Sequence, residues 1–101
     1  MINQIKLRVS RTIKAAIQQA INQNEISLES IPDIIFSPTK GPEHGDIATP
    51  IAMSLSKLAK MPPRQIAKTI VKHLVDDPLI RQVEIAGPGF INLFVSEDWL
   101  Y

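Results

Sequence analysis

Residues 82–95, QVEIAGPGFINLFV, constrain this chain more than any other segment. Two short alternating runs are joined by Gly87-Pro88-Gly89, the composition of a tight β-hairpin. Successive side chains of a strand point to opposite faces, so the second run sorts with period two. Ile91, Leu93 and Val95 fall on one face, and Phe90, Asn92 and Phe94 on the other. In the first run Val83 and Ile85 oppose Gln82, Glu84 and Ala86. One face is thus an aliphatic core surface. The other carries two rings flanking a carboxamide, beside a glutamine and a glutamate. A ring next to an amide can stack on a base and hydrogen-bond its edge. Covered by a helix or loop, the same rings would be ordinary core.

The rest of the chain limits what that hairpin can belong to. At 101 residues the length fits one domain with a single modest core. A hydrophobic share of 45% and a charged share of 21% are those of a globular protein. With no cysteine, disulfide frameworks, thiolate metal sites and thiol nucleophiles are excluded. The first residues, MINQIKLRVSRTIK, mix charge and apolar groups too evenly for a signal peptide. No apolar run approaches the roughly 18 residues a membrane span needs. A cytoplasmic location is expected.

Helical periodicity runs from residue 2 to 23, with Ile2, Ile5, Val9, Ile13, Ala16, Ile17 and Ala20 as one apolar stripe. Ile34-Ile35-Phe36-Ser37 reads as a short strand ended by Pro38. The glycine- and proline-rich segment 38–46 cannot be regular structure. Thr49-Pro50 looks like an N-cap with proline in the first helical position. Ile51, Ala52, Leu55, Leu58 and Ala59 would be the buried stripe of that helix, with Met53 off it as a solvent-side or interface contact. A third helix over 63–75 turns Ile66, Ala67, Ile70, Val71 and Leu74 inward. The order α-β-α-α-β-β predicts an α+β domain over residues 1–95, a small antiparallel sheet with helices packed on one face. That leaves the Phe90-Asn92-Phe94 face open. Ser96 with the acids after it reads as the start of a further helix over 96–101, leading into another domain.

Net charge is only +1, yet Lys6, Arg8, Arg11 and Lys14 precede the first acid, and Lys57, Lys60, Arg64, Lys68 and Lys72 share an acid-free stretch. Basic helix faces on a nearly neutral molecule could meet phosphate, or could simply solubilise helices. Material for catalysis is sparse. His44 lies beside Glu43 and Asp46, where an acid–base or metal role is conceivable; His73 on a helix flank reads as a surface residue. No phosphate-binding glycine loop, nucleophile elbow or metal-ligand set is present.

Three segments, in order, resemble the N-terminal additional domain of arginyl-tRNA synthetases: Gly45-Asp46-Ile47-Ala48-Thr49 with Ile51-Ala52, then Pro63-Arg64-Gln65-Ile66-Ala67, and most closely Val83-Glu84-Ile85-Ala86-Gly87-Pro88-Gly89-Phe90-Ile91-Asn92. The likeness spans essentially the whole chain. The resemblance implies a non-catalytic domain of a class I ligase that joins arginine to its tRNA using ATP. In that family this domain contacts the D-loop at the outer corner of the tRNA. Carried over, the reading positions are Phe90 and Asn92, with Lys68, Lys72, Arg8 and Arg11 as candidate phosphate contacts. ATP and magnesium would belong to a catalytic domain after Tyr101, and no metal or cofactor to this part. The competing expectation is a protein-interaction or docking domain that uses the open sheet face.

Overall fold

The two alternating runs pair as strands β2 (Ile80–Ala86) and β3 (Phe90–Val95) in a computed structural model that describes residues 2–74 and 77–96. Ala86 faces Phe90 across the turn, and the register continues through Ile85↔Ile91, Glu84↔Asn92 and Val83↔Leu93. Gly89 in the turn has φ 145°, a region that L side chains avoid, and a Cβ there would lie 3.0 Å from Cβ of Pro63. Glycine therefore lets the hairpin turn close onto the start of a helix.

A third strand, β1 (Ile47–Thr49), pairs antiparallel with the other edge of β3, giving the order β1-β3-β2. This corrects the location of the first strand. Residues 34–37 contribute one bridge, Ser37 to Ala48, with Ile35 exposed and Ile34 and Phe36 half-buried. The element order is nevertheless α-β-α-α-β-β, as the sequence indicates.

The helices are α1 (Ile2–Asn22), α2 (Ile51–Ala59) and α3 (Pro63–Lys72). α1 ends without glycine because Asn24 takes a left-handed conformation, φ 61°, and the Glu25 N–H reaches back to the Ala20 carbonyl at 2.8 Å. α2 begins one residue later than Thr49-Pro50 implied. Pro50 itself is the cap position, while the Thr49 hydroxyl still accepts from the Ile51 N–H at 3.2 Å. α3 stops at Lys72, three residues short of the expected end, and Leu74 is buried beyond it.

All three helices lie on one side of the sheet. Val9, Ile13 and Ile17 of α1, Leu55 of α2, and Ile66 and Ile70 of α3 form one buried cluster with Ile91, Leu93 and Val95. Their near-complete removal from water is the main driving force for the fold. Leu58, expected in the α2 stripe, is 61% exposed. Met53 is half-buried. Among the described residues no helix is long and apolar enough to cross a membrane. The helix expected at 96–101 lies outside the described residues, apart from Ser96.

Candidate nucleic-acid interface

The second face of β3 turns away from the helices, but it is not bare. Phe90 is half-buried, Asn92 is 7% exposed and Phe94 8%. Two things cover it. From the β1 side, the Pro38–His44 segment, ending in a 3-10 turn at Pro42–His44, walls a groove of about 320 Å³. Its floor is Ala48, Ala86 and Asn92, the Phe90 ring flanks it, and Lys40 and His44 stand on the wall. At the far end, the guanidinium of Arg81 sits over the Phe94 ring, 5.4 Å from its centroid.

Small side chains make the groove. Ala48 and Ala86 are the cross-strand neighbours of Asn92 and Phe90. Larger residues there would fill the space over the amide. The volume is at the lower end of the roughly 300–1,000 Å³ typical of small-molecule clefts, enough for one heterocycle. The wall is tied down at its root. The Asp46 carboxylate accepts from the Val95 N–H at 2.7 Å, and the Thr39 hydroxyl lies 2.8 Å from the Gly45 carbonyl. Among the described residues no three acidic or histidine side chains converge on a metal site.

Asn92 is the chemically unusual member. Its carboxamide makes no hydrogen bond to another described residue, although only 7% of the residue is exposed. No fully occluded side-chain nitrogen or oxygen among the described residues lacks a partner, so this amide reaches solvent through the groove. Two donors and an acceptor carbonyl thus open into a narrow slot beside an aromatic ring. A ligand edge that matches these donors and the acceptor would take the place of the solvent they meet.

Sequence periodicity missed Arg81. Strict alternation would turn it inward with Val83. A bulge between Ile80 and Gln82 inserts it on the ring face instead, so that Arg81 and Gln82 together oppose Phe94. The signal was the doublet of polar residues after Ile80, which breaks the period.

The four basic candidates belong to the helical layer, across the sheet from the groove. Lys72 is hydrogen-bonded to Glu25, which also lies 2.7 Å from Nε2 of His73. Lys72 first, then His73, hold the Glu25 carboxyl below its usual range. His73, expected at the surface, has only 12% of its side chain exposed. Arg8 approaches Asp77 at 3.5 Å. Partial burial pushes the Asp77 carboxyl up, but hydrogen bonds from the Thr12 hydroxyl and the Leu79 N–H, with the Arg8 charge, leave it lowered. Arg11 and Lys68 are exposed, with no ion pair among the described residues.

The arginyl-tRNA synthetase N-terminal domain family matches residues 9–95. The chain belongs to this family. It is 46% identical over 99 residues to the arginine–tRNA ligase of Listeria welshimeri, covering 97% of this chain and 17% of that protein. With the arginine–tRNA ligase of Desulforamulus reducens the identity is 36% over 102 residues, covering all of this chain and 18% of the relative. The chain therefore spans less than a fifth of the length of these relatives. The same fold occurs in the arginyl-tRNA synthetase of Plasmodium falciparum, with a TM-score of 0.73 at 17% identity over 95% of this chain and 17% of that one. The Thermus thermophilus arginyl-tRNA synthetase aligns with a TM-score of 0.63 at 20% identity, over 90% of this chain and 14% of that one. In this member of the arginyl-tRNA synthetase N-terminal domain family, an α+β unit carries a ring-and-amide groove on the sheet face turned away from the helices.

Proposed function

We propose that this chain is the tRNA-reading domain of an arginine–tRNA ligase and that the groove takes one splayed D-loop nucleotide. Phe90 stacks on the base and Asn92 hydrogen-bonds its edge. The observation that carries this reading is Asn92, a residue only 7% exposed whose carboxamide has no hydrogen-bond partner among the described residues and opens into a slot beside an aromatic ring. Family membership supports tRNA as the partner. Joining arginine to tRNA with ATP and magnesium is assigned to a catalytic domain following Tyr101, in the cytoplasm. This domain contributes binding and orientation only. Arg11 and Lys68 are free to meet phosphates of a tRNA that wraps past the sheet edge. Lys72 and Arg8 would first have to exchange their carboxylate partners for phosphate.

In the full-length ligase, Phe90→Ala and Asn92→Ala should raise KM for tRNA while sparing KM for ATP and arginine. Stacking is worth roughly 1–3 kcal/mol per base, so the expected rise is between about fivefold and a hundredfold. Unchanged aminoacylation by both variants, with folding verified by circular dichroism, would refute the assignment. The apolar floor of Ala48 and Ala86 also fits an apolar side chain of a docking protein. The two readings part on salt: RNA binding weakens steeply as salt rises, whereas an apolar contact does not.

A further inference from the structure

We infer that Arg81, mounted on Phe94, is a second contact for the same RNA strand and takes a backbone phosphate adjacent to the nucleotide held at Phe90 and Asn92. The inference rests on the base-reading proposal and adds the direction in which the strand leaves the groove.

Three observations carry it. The bulge diverts Arg81 from the core face to the ring face, where strict alternation would not put it. Its guanidinium lies over the Phe94 ring, 5.4 Å from the centroid. Arg81 is exposed and makes no ion pair with a described residue; Glu84, the acid on this face, is likewise unpaired. A guanidinium within cation–π reach of a ring still has N–H donors to offer an anion, and its planar fork suits a bidentate bond to phosphate.

Spacing agrees. Phe94 is four residues along β3 from Phe90, about 13 Å at the usual strand rise. A splayed single strand covers that within a few nucleotides. Lys40, on the groove wall, is a further cationic group beside the amide. Arg81 would act as a positioning residue: it fixes the backbone so that one base enters the slot, and carries no base identity itself.

The test is equilibrium binding of the arginine tRNA transcript to the full-length ligase over a salt series. Arg81→Leu keeps an apolar cover on Phe94 and removes the charge. It should reduce the slope of log K against log salt by about 0.7 to 1. Its affinity loss should be the same whichever base occupies the read position, whereas the loss in Asn92→Ala should depend on that base. Phe90→Ala should leave the slope unchanged. An unaltered slope in a folded Arg81→Leu protein overturns the inference while leaving the base-reading proposal standing, provided the Phe90 and Asn92 variants still lose affinity. If none of the three variants binds tRNA more weakly, both fall. Should Arg81→Leu lower thermal stability, Arg81→Gln and Arg81→Lys decide: glutamine must lose the slope and lysine must keep most of it, and equal slopes refute the phosphate contact.

Discussion

Asp46 is bound to β3 twice: its carboxylate accepts from the Val95 N–H at 2.7 Å, and its own N–H donates to the Leu93 carbonyl at 2.8 Å. This clamp extends the β1–β3 pairing past Ile47 and anchors the segment that walls the groove. It also gives a structural reason for Gly45-Asp46 at the head of the most N-terminal of the three family segments.

Asp46→Ala should cost about 1–3 kcal/mol, since the buried Val95 N–H loses its acceptor while the backbone bond of residue 46 stays. Urea denaturation of wild type and variant checks this. Binding to tRNA should fall as well, because the wall carrying Lys40 and His44 is released at its root. A variant as stable as wild type would show that the carboxylate does not hold the clamp.

Gly45→Ala probes the same junction sterically. Gly45 has φ 104°, and a Cβ would lie 2.9 Å from the Leu93 carbonyl oxygen. Strain and backbone contact act together, so a loss of more than about 1 kcal/mol is expected. Thermal melts of the single variant and of Gly45→Ala with Asp46→Ala should show a combined loss smaller than the sum, because both open one contact.

Asn92→Leu separates folding from reading. Asn92 is 7% exposed and its carboxamide has no hydrogen-bond partner among the described residues, so an apolar side chain of similar shape should leave stability within about 1 kcal/mol of wild type, or raise it. Discrimination between bases should be lost. A large drop in the melting temperature would mean that the amide serves the fold.

The Glu25 junction between α1 and α3 predicts a pH dependence. Hydrogen bonds from Lys72 and His73 hold the Glu25 carboxyl below the ordinary value of 4.5. A depressed carboxylate contributes stability that is fully present above its unfolded pKa and is lost as pH falls through the folded one. Wild type should therefore exceed Glu25→Gln in melting temperature near neutrality, and the gap should close on acidification below about 4.5. A gap that persists in strong acid would assign the effect to packing.

How much of this was legible beforehand depends on the range of the interaction. The stripe Ile5, Val9, Ile13, Ala16, Ile17 and Ala20 is buried as its spacing implies. The β3 alternation likewise separates the core face from the ring face, because period is a local property of backbone geometry. Leu58 departs from the pattern: it is exposed near the end of a nine-residue helix, beside the 27–30 segment, which does not close over it. Ile34–Ser37 has strand composition but finds one bridge, whereas Ile47–Thr49, too short to show a period, becomes the strand by pairing with β3.

The sequence alone determined the hairpin, the sides of the helices that bury, the division of β3 into two faces, and the likeness that places Phe90 and Asn92 together. Each of these follows from periodicity or from residues adjacent along the chain. Only the tertiary structure decided that the amide sits in a groove and not on an open surface, that Arg81 covers Phe94, and that Lys72 and Arg8 are engaged by Glu25 and Asp77. Those facts depend on a loop folding over a sheet, on a one-residue register shift, and on charges brought together from distant positions. No local spacing encodes them, because the energy that selects each one arises only when separate segments meet.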